Sequence, residues 1–574
     1  MKSKGPAKDS RFSVRFLPFD ITVEVPSGTS LLDAATQAGL PLKASCGGSG
    51  VCGDCLVSVQ SGNCQSRPSA ALSGSLHARG YALACLTEVQ DNLTVHLPQF
   101  QELSIQSVTG SEFFQEHKNE ISGYYETGQL PGAVQDIIPP DKRKNIFGIA
   151  CDVGTTTVVV QLVDLKTGEI LKTASSYNRQ IKCGEDIISR INYSQKPGRL
   201  RELNKLIITT INSLIQTCIE AAQAAYSDMY YASVSGNTTM TYVLLNLDPQ
   251  DIRTDPYASP LNKAYSIPSK ALGLNLNPEA EVVCSPAVGS YVGGDITAGL
   301  LCTPLLRNSD AVSVFIDVGT NGELVIGNRD WMVACACSAG PAFEGSGTRC
   351  GMPAMDGAIE RVEWNNETLA YSVVGDGKPR GICGSGLVDL LSTLFIHGYI
   401  DRGGKLNEEK AGARLIKTDR GKGFLIEKAE NCYWEMDMVI TENDIANLIR
   451  TKGAVFSACS LLLKKVGLAF NELSAVYIAG GFGQNLDIEN AIRIGLFPDL
   501  PRNTFHYLGN SSLLGSYLIL VSDKNKDLVN ETAGKMTYIE LNTEPEYMSE
   551  YTGSLFLPHT NMDLFPSVKK TFNS

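Results

Sequence analysis

The chain has 574 residues, 43% hydrophobic and 19% charged, which is enough apolar material for several buried cores and too much length for one compact domain. A formal net charge of −12 argues against a nucleic-acid partner gripped through its phosphates, and no run reaches the roughly 18 apolar residues of a membrane span. The N-terminal MKSKGPAKDSRFSVRF lacks the apolar stretch of a secretory signal, so a cytoplasmic location is expected, with the 16 cysteines as thiols and metal ligands rather than a disulfide framework.

Residues 1–98 form the first expected unit. Phe12, Val14 and Phe16, then Ile21, Val23 and Val25, alternate as the two strands of a hairpin. SGTSLLDAATQAG follows as a capped helix with Leu31, Leu32, Ala35 and Ala38 on one face. Then comes SCGGSGVCGDC, in which Cys46-x5-Cys52-x2-Cys55 is joined thirty residues later by Cys85 in YALACLT. Three ligands on one glycine-rich loop and a fourth from a distant segment is close to the plant-type [2Fe–2S] pattern, with a first gap one residue longer. Glycines 47, 48, 50 and 53 let the backbone wrap close to a cluster. A zinc knuckle would prefer two CxxC-like pairs, and this chain has one. Cys64, in polar SGNCQSRPS, competes with Cys85 for the fourth place; the apolar approach to Cys85 favours the latter. Hairpin, helix and cysteine loop in this order predict a β-grasp ferredoxin domain. Its eight basic and seven acidic residues nearly balance, so its surface charge does not point to a partner.

Residues 99–145, which contain PGAVQDIIPPDKRK, read as a linker region. Beyond it an apolar strand runs into Asp152-Val-Gly154-Thr155-Thr156-Thr157, and the same setting recurs 165 residues later as Asp317-Val-Gly319-Thr320-Asn321-Gly322-Glu323. Such a turn aims backbone N–H groups and hydroxyls at phosphate oxygens, while the aspartate can hold Mg²⁺ through water. Two of them imply a duplicated fold closing on a nucleotide, divided here into 146–306 and 307–574. A strand also ends in Gly480-Gly481-Phe482-Gly483, where glycine lets a base or ribose lie flat on the backbone. NTTM after Gly236, GGDITAGLL from Gly293, CSAGPAFEGSGTRCGM and GICGSGL (with Gly384, Ser385 and Gly386) read as further loops over strand ends lining the cleft. Asp295 is the candidate for orienting water or metal. No GxxxxGK[ST] sequence supports a P-loop.

Two Asp-x-Gly-Thr loops followed by Gly-Gly-Phe-Gly resemble the motif order of the actin, sugar-kinase and heat-shock-chaperone (ASKHA) ATPases. The fold expected is therefore α+β multidomain: a β-grasp [2Fe–2S] ferredoxin domain followed by a two-lobed actin-like ATPase. As a whole, through the four cysteines and DVGTTT, DVGTNGE, AGPAFEG, GICGSGL and AGGFG, the chain resembles the reductive activators of corrinoid-dependent methyltransferase systems. The resemblance implies ATP, Mg²⁺ and a [2Fe–2S] cluster as cofactors, and a corrinoid protein restored from Co(II) to Co(I) as partner. It also implies a separate low-potential electron donor, and it leaves room for a homodimer. Longer members of that family carry a small additional domain where this chain has only 99–145. The ATPase part also resembles the activators of 2-hydroxyacyl-CoA dehydratases, but those lack a ferredoxin module. A nucleotide-binding redox sensor is the other alternative, and it would not raise its ATP turnover in the presence of an acceptor.

Overall fold

The computed structural model describes residues 10–40, 42, 48–50, 53, 55–69, 71–97, 130–137, 145–184, 186–253, 261–307, 310–319, 321–345, 347–365, 368–375, 377–418, 421–480 and 486–573. Cys46, Cys52, Thr320, Gly481, Phe482 and Gly483, and most of 99–145, lie outside them. Among the described residues no helix is long and apolar enough to cross a membrane.

The predicted hairpin is β1 (Arg11–Leu17) and β2 (Ile21–Pro26), paired antiparallel with Val14, Phe16 and Val25 fully buried. Helix α1 (Leu31–Gln37) begins where the Ser30 hydroxyl accepts the Asp33 N–H at 3.0 Å. Its buried face is Leu31, Ala34, Ala35 and Ala38, the i, i+3, i+4, i+7 set; Leu32, expected inside, is turned half outward. Strands β3 (Leu56–Ser61), β4 (Tyr81–Leu83) and β5 (Leu93–His96) complete a sheet of order β2-β1-β5-β3-β4, with β1 and β5 parallel. This is the β-grasp arrangement.

Of the linker region, the described part includes a short helix, α2 (Gly132–Ile137), whose Val134 is fully buried in the core shared by the two sheets that follow. The Gly132 N–H donates to Asp523 at 2.7 Å, so this end of the segment is docked.

The first of those sheets contains β6 (Phe147–Val153), β7 (Thr157–Asp164), β8 (Ile170–Tyr177), β9 (Met229–Gly236), β10 (Tyr265–Pro268) and β11 (Glu281–Cys284), in the order β8-β7-β6-β9-β11-β10. Helix α3 (Arg199–Ala222) lays Leu203, Ile207, Ile211 and Ile215 against its apolar face, and α4 (Gly294–Leu300) covers the other side. The second sheet is built from β12 (Ser313–Val318), β13 (Gly322–Gly327), β14 (Met332–Cys337), β15 (Ala475–Ala479), β16 (Phe505–Gly509) and β17 (Met536–Tyr538), ordered β16-β15-β12-β13-β14-β17. Helix α5 (Gly384–Ile396) buries nearly every side chain in this lobe's core, α6 (Glu442–Lys465) is continuously buried from Thr451 to Leu463, and α7 (Ser511–Leu520) follows β16.

The two lobes repeat one plan. In each, a hairpin (β6–β7, β12–β13) is extended by a parallel strand beside its first member (β9, β15). Asp152 and Asp317 hold equivalent places at the ends of β6 and β12, so the duplication inferred from the motifs is a duplication of topology.

The lobes meet through α4 and α7. A Cβ on Gly515 would lie 2.1 Å from the Ala298 carbonyl, and one on Gly299 would lie 2.7 Å from Ser511 Oγ, so glycine allows the helices to cross at backbone distance. Buried Ser516 binds the Cys151 carbonyl (3.0 Å) and Ser235 (2.6 Å), tying α7 to the central strands of the first lobe.

The ferredoxin module rests on both lobes. On the first, Tyr177 and Ile181 enter its hydrophobic core, and the Phe19 and Tyr177 rings are 5.4 Å apart. On the second, Tyr81 packs edge-on against Trp434 at 5.5 Å, the Arg79 guanidinium donates to the Tyr433 hydroxyl at 3.1 Å, and Ser73 and Ser75 bind Glu435.

Candidate functional site

Three glycine turns pack edge to edge at the ends of the first lobe's strands. The β6–β7 hairpin reverses at Gly154, where a Cβ would sit 2.6 Å from the Thr157 carbonyl. Gly236 lies against the Val153 carbonyl and Gly293 against the Thr238 amide, with room for no Cβ at either, 2.7 and 2.5 Å being the distances it would meet. Polar side chains fix the hairpin turn from behind. Asn178 donates to the Gly154 carbonyl at 2.9 Å, Asn237 to Thr155 Oγ1 at 2.9 Å, and the fully buried Arg190 to the Thr155 carbonyl at 2.6 Å. Thr155 is buried by these bonds, while Thr156 and Thr157 stay half-exposed and available to a ligand.

In the second lobe Asp317 faces Glu323 across the β12–β13 hairpin, Gly322 lies beneath Cys337, and the Gly319 N–H closes onto the Asn321 carbonyl at 3.0 Å. Gly480 ends β15 with φ of +100°, and its Cβ would stand 2.5 Å from the Val318 carbonyl and 3.1 Å from Asp317 Oδ1. Space and backbone conformation both demand glycine there. The turn at Gly480 and the second Asp-x-Gly-Thr loop are thus direct neighbours. Gly384, Ser385 and Gly386 open α5. Ser385 Oγ donates to the Glu360 carbonyl at 2.8 Å, and a Cβ on Gly386 would be 2.3 Å from the Ile359 carbonyl, so these residues seat the helix on the strand Ala358–Asn365.

Across the cleft the carboxylates of Asp152, Asp295, Asp317, Glu323 and Glu344 are within electrostatic reach of one another. Burial, reinforced by Asp152, pushes Asp295 up to about 7. Burial, then the charges of Asp295, Asp152 and Glu344, pushes Asp317 up to about 8. Glu323, enclosed by the same neighbours, is raised well above the usual carboxylate range, and burial raises Asp152. The groups that oppose these shifts are hydrogen-bond donors: Asn510 (2.9 Å) and Ser512 (2.7 Å) on Asp152, Asn321 on Glu323, and the Ile296 N–H on Asp295 at 2.9 Å. Because Asn510 and Ser512 stand at the start of α7, Asp152 is held by the element that joins the lobes. Among the described residues no three of these carboxyls stand close enough to hold a metal ion by themselves, so a divalent cation here would need outside ligands such as phosphate oxygens.

The sign of this effect is measurable. A carboxyl whose folded pKa exceeds its unfolded value contributes stability below about pH 4 that is lost as pH rises through the folded value. Without divalent cation, the two lobes are therefore expected to melt at progressively lower temperature between about pH 4 and 8, by about 2–4 °C per kcal/mol lost. Mg²⁺ should reverse much of the fall. Scanning calorimetry across that range with EDTA or Mg²⁺ checks it, and a flat profile in EDTA would contradict the shared anionic site.

In the ferredoxin module Cys55 and Cys85 are buried with their sulfurs 3.3 Å apart, so two of the four expected ligands converge. Gly48, Gly50 and Gly53 all have positive φ, and a Cβ on Gly50 would strike the Leu86 side chain at 2.4 Å. Backbone conformation thus favours glycine at all three positions and packing demands it at Gly50, and the expected donor set suits a thiolate-held iron cluster. Cys64 lies on a separate two-stranded ribbon, Cys64–Ser66 against Thr87–Val89, and burial raises its thiol pKa.

Three family models match the chain in series: the 2Fe-2S iron-sulfur cluster binding domain over residues 15–90, the RACo middle region over 147–308, and the C-terminal domain of RACo, the ASKHA domain, over 311–569. The corrinoid activation enzyme RamQ of Eubacterium limosum is 32% identical over 573 residues, covering 92% of this chain and 96% of that protein. The chain belongs to the RACo family of reductive activators. A solved structure titled reductive activator for corrinoid, iron-sulfur protein superposes with a TM-score of 0.70 at 37% identity, covering 97% of this chain and all of that one. The [Co(II) methylated amine-specific corrinoid protein] reductase of Methanosarcina barkeri is 26% identical over 426 residues, covering 68% of this chain and 73% of that protein. The RACo middle and C-terminal matches coincide with the two sheets that carry Asp152 and Asp317.

Proposed function

We propose that this protein hydrolyses ATP with Mg²⁺ to drive one electron from a [2Fe–2S] cluster to a corrinoid protein that has slipped to Co(II), returning it to the methyl-accepting Co(I) state. The observation that carries this reading is the seating of a [2Fe–2S]-type module directly on both lobes of a RACo-type ASKHA fold. The named relatives, a corrinoid activation enzyme and a Co(II) corrinoid protein reductase, support the partner class.

Cys46, Cys52, Cys55 and Cys85 would hold the cluster, which supplies one low-potential electron when bound. Plant-type clusters lie near −400 mV, and an acceptor of still lower potential makes the transfer uphill by about 2.3 kcal/mol per 100 mV. Nucleotide can offset that only by binding two conformations or complexes with different affinity. Two lobes hinged where α4 crosses α7 provide such an element. The backbone N–H groups and hydroxyls of 154–157 and 319–321 would cradle phosphates. Asp152, Asp295 and Asp317 would hold Mg²⁺, directly or through water, so that the metal neutralises charge on the transferred phosphoryl group. Gly480, with the glycines that follow it in sequence, would let the nucleoside lie against the backbone. A separate low-potential donor would refill the cluster, and reduced thiols such as Cys151, Cys284 and Cys459 fit a cytoplasmic setting.

The decisive assay follows the absorbance of a Co(II) corrinoid protein with this protein and a low-potential reductant. Co(I) is expected only when reduced cluster, Mg²⁺–ATP and the corrinoid protein are all present. Equal yields with ATP, ADP and no nucleotide would remove the ATPase from the mechanism. Absence of Co(I) with every corrinoid protein tried would favour the redox sensor.

A further inference from the structure

The seven residues Tyr177–Cys183, the end of β8 and the 3-10 turn after it, are shared between the phosphate-side hairpin and the ferredoxin module. Asn178 is bonded twice to the hairpin turn, its backbone N–H to the Thr156 carbonyl (2.8 Å) and its side chain to the Gly154 carbonyl (2.9 Å). Gln180 is fully buried, donates to the Leu203 carbonyl (2.9 Å), and accepts from the Arg190 guanidinium (3.2 Å) that also holds the Thr155 carbonyl. The alternate members face the other way. Tyr177 and Ile181 are part of the ferredoxin core, with Tyr177 against Phe19. The Lys182 carbonyl comes so close to Gly39 that a Cβ there would lie 2.0 Å from it. Gly39 directly follows α1, whose last amides close onto Ala34, Thr36 and Ala35 through Ala38, Gly39 and Leu40.

We propose that this segment couples the two sites: nucleotide in the hairpin turn changes how the ferredoxin module seats on the first lobe, with Asn178, Gln180 and Arg190 as positioning residues and Tyr177 and Ile181 as the foothold. The proposal rests on the nucleotide reading above and adds the route. Phosphate oxygens drawn to the amides of 154–157 compete with or reinforce the bonds that Asn178 and Arg190 make to the carbonyls of the same turn. A packed segment with no slack between its two faces transmits such a shift as a change of seat rather than a local relaxation. Linkage then requires that the seat of the module alter nucleotide affinity by the same factor.

The test uses the full-length, cluster-loaded protein and non-hydrolysable Mg²⁺–AMPPNP. Calorimetry measures nucleotide binding, cluster absorbance reports the module's integrity, and hydrogen exchange reads the amides of Ala38, Gly39 and Leu40. In the wild type, nucleotide is expected to change exchange at these amides by about 5- to 10-fold, within the usual range of coupling between sites. Ile181→Ala and Phe19→Leu, which trim the foothold from opposite sides, should keep cluster absorbance and still bind nucleotide, with affinity changed by no more than the coupling factor, yet reduce that response to under about 2-fold. A response that persists in both variants overturns the proposal, as does a wild type that binds nucleotide with no response at these amides. If one variant loses cluster absorbance, the other decides. Failure of the wild type to bind Mg²⁺–AMPPNP would appear in the calorimetry alone and would overturn the nucleotide reading, and the proposed route with it.

Discussion

Replacing Asp317 by alanine is expected to lower Mg²⁺-dependent ATP hydrolysis by about two to three orders of magnitude, the scale of losing one preorganised charge-stabilising group, with no change in iron content. Asp317 ends a strand flanked on both sides, by β13 and by β15, so its position is set by the ladder rather than by its own side chain. Its removal takes one anion out of the group formed with Asp152, Asp295 and Glu344, relieving repulsion in the empty cleft while weakening Mg²⁺–ATP. The variant should therefore combine lower activity with higher stability near pH 8 in EDTA, a pairing that simple misfolding does not produce. Asp317→Asn preserves shape and separates charge from packing. Asp152→Ala should cost as much activity, and it additionally strands Asn510 and Ser512, so it should not share the stability gain. Phosphate release and iron analysis on the same preparations measure both halves. Unchanged hydrolysis in the Asp152 and Asp317 variants would refute the phosphate-turn assignment.

Cys85→Ser is expected to abolish the cluster, and Cys64→Ser to leave it intact with two irons per chain. Serine offers a hard oxygen where iron–sulfur chemistry calls for thiolate. The sulfur of Cys85 is 3.3 Å from that of Cys55, a convergence of two expected ligands. Cys64 instead pairs along its own ribbon with Val89. The charge-transfer absorbance and iron per chain give the answer. Four irons per chain, or retention of the cluster in Cys85→Ser with its loss in Cys64→Ser, would show that the ligand set is wrong.

Much of this architecture was legible because the informative residues are local. The period-2 hairpin, the capped helix, the cysteine spacing and the repeated Asp-x-Gly-Thr turns each declare themselves within a short window. Leu32 and Ala34 mark the limit at that scale: both are apolar, and only the docked sheet decides which points inward. The polar supports of the site were harder to see. Asn178, Arg190, Asn510 and Ser512 belong to no motif, and they matter through partners 24, 35, 358 and 360 residues away. Asn510 gave one faint signal, a cap residue directly after the apolar strand FHYLG. GICGSGL shows how glycine can serve two readings at once. The run reads as a ligand loop, while the packing of α5 against Ile359 already gives Gly386 a sufficient reason. The linker region likewise gave no hint that Val134 docks in the core between the lobes, because that pocket is made by residues far along the chain.

The joint where α4 passes α7 also limits how such a molecule can diversify. From glycine at 515 the smallest available step is alanine, and that one methyl would already stand 2.1 Å from a main-chain oxygen that has nowhere to go. There is no graded series of side chains by which mutation could open the angle between the lobes a little at a time. Adjustment has to come from neighbouring contacts, such as those of Ser516 with the Cys151 carbonyl and Ser235, where a hydroxyl can be traded without prising the backbones apart. The crossing itself is thus close to a fixed part, and descendants of this sequence would vary what grips the lobes on either side of it.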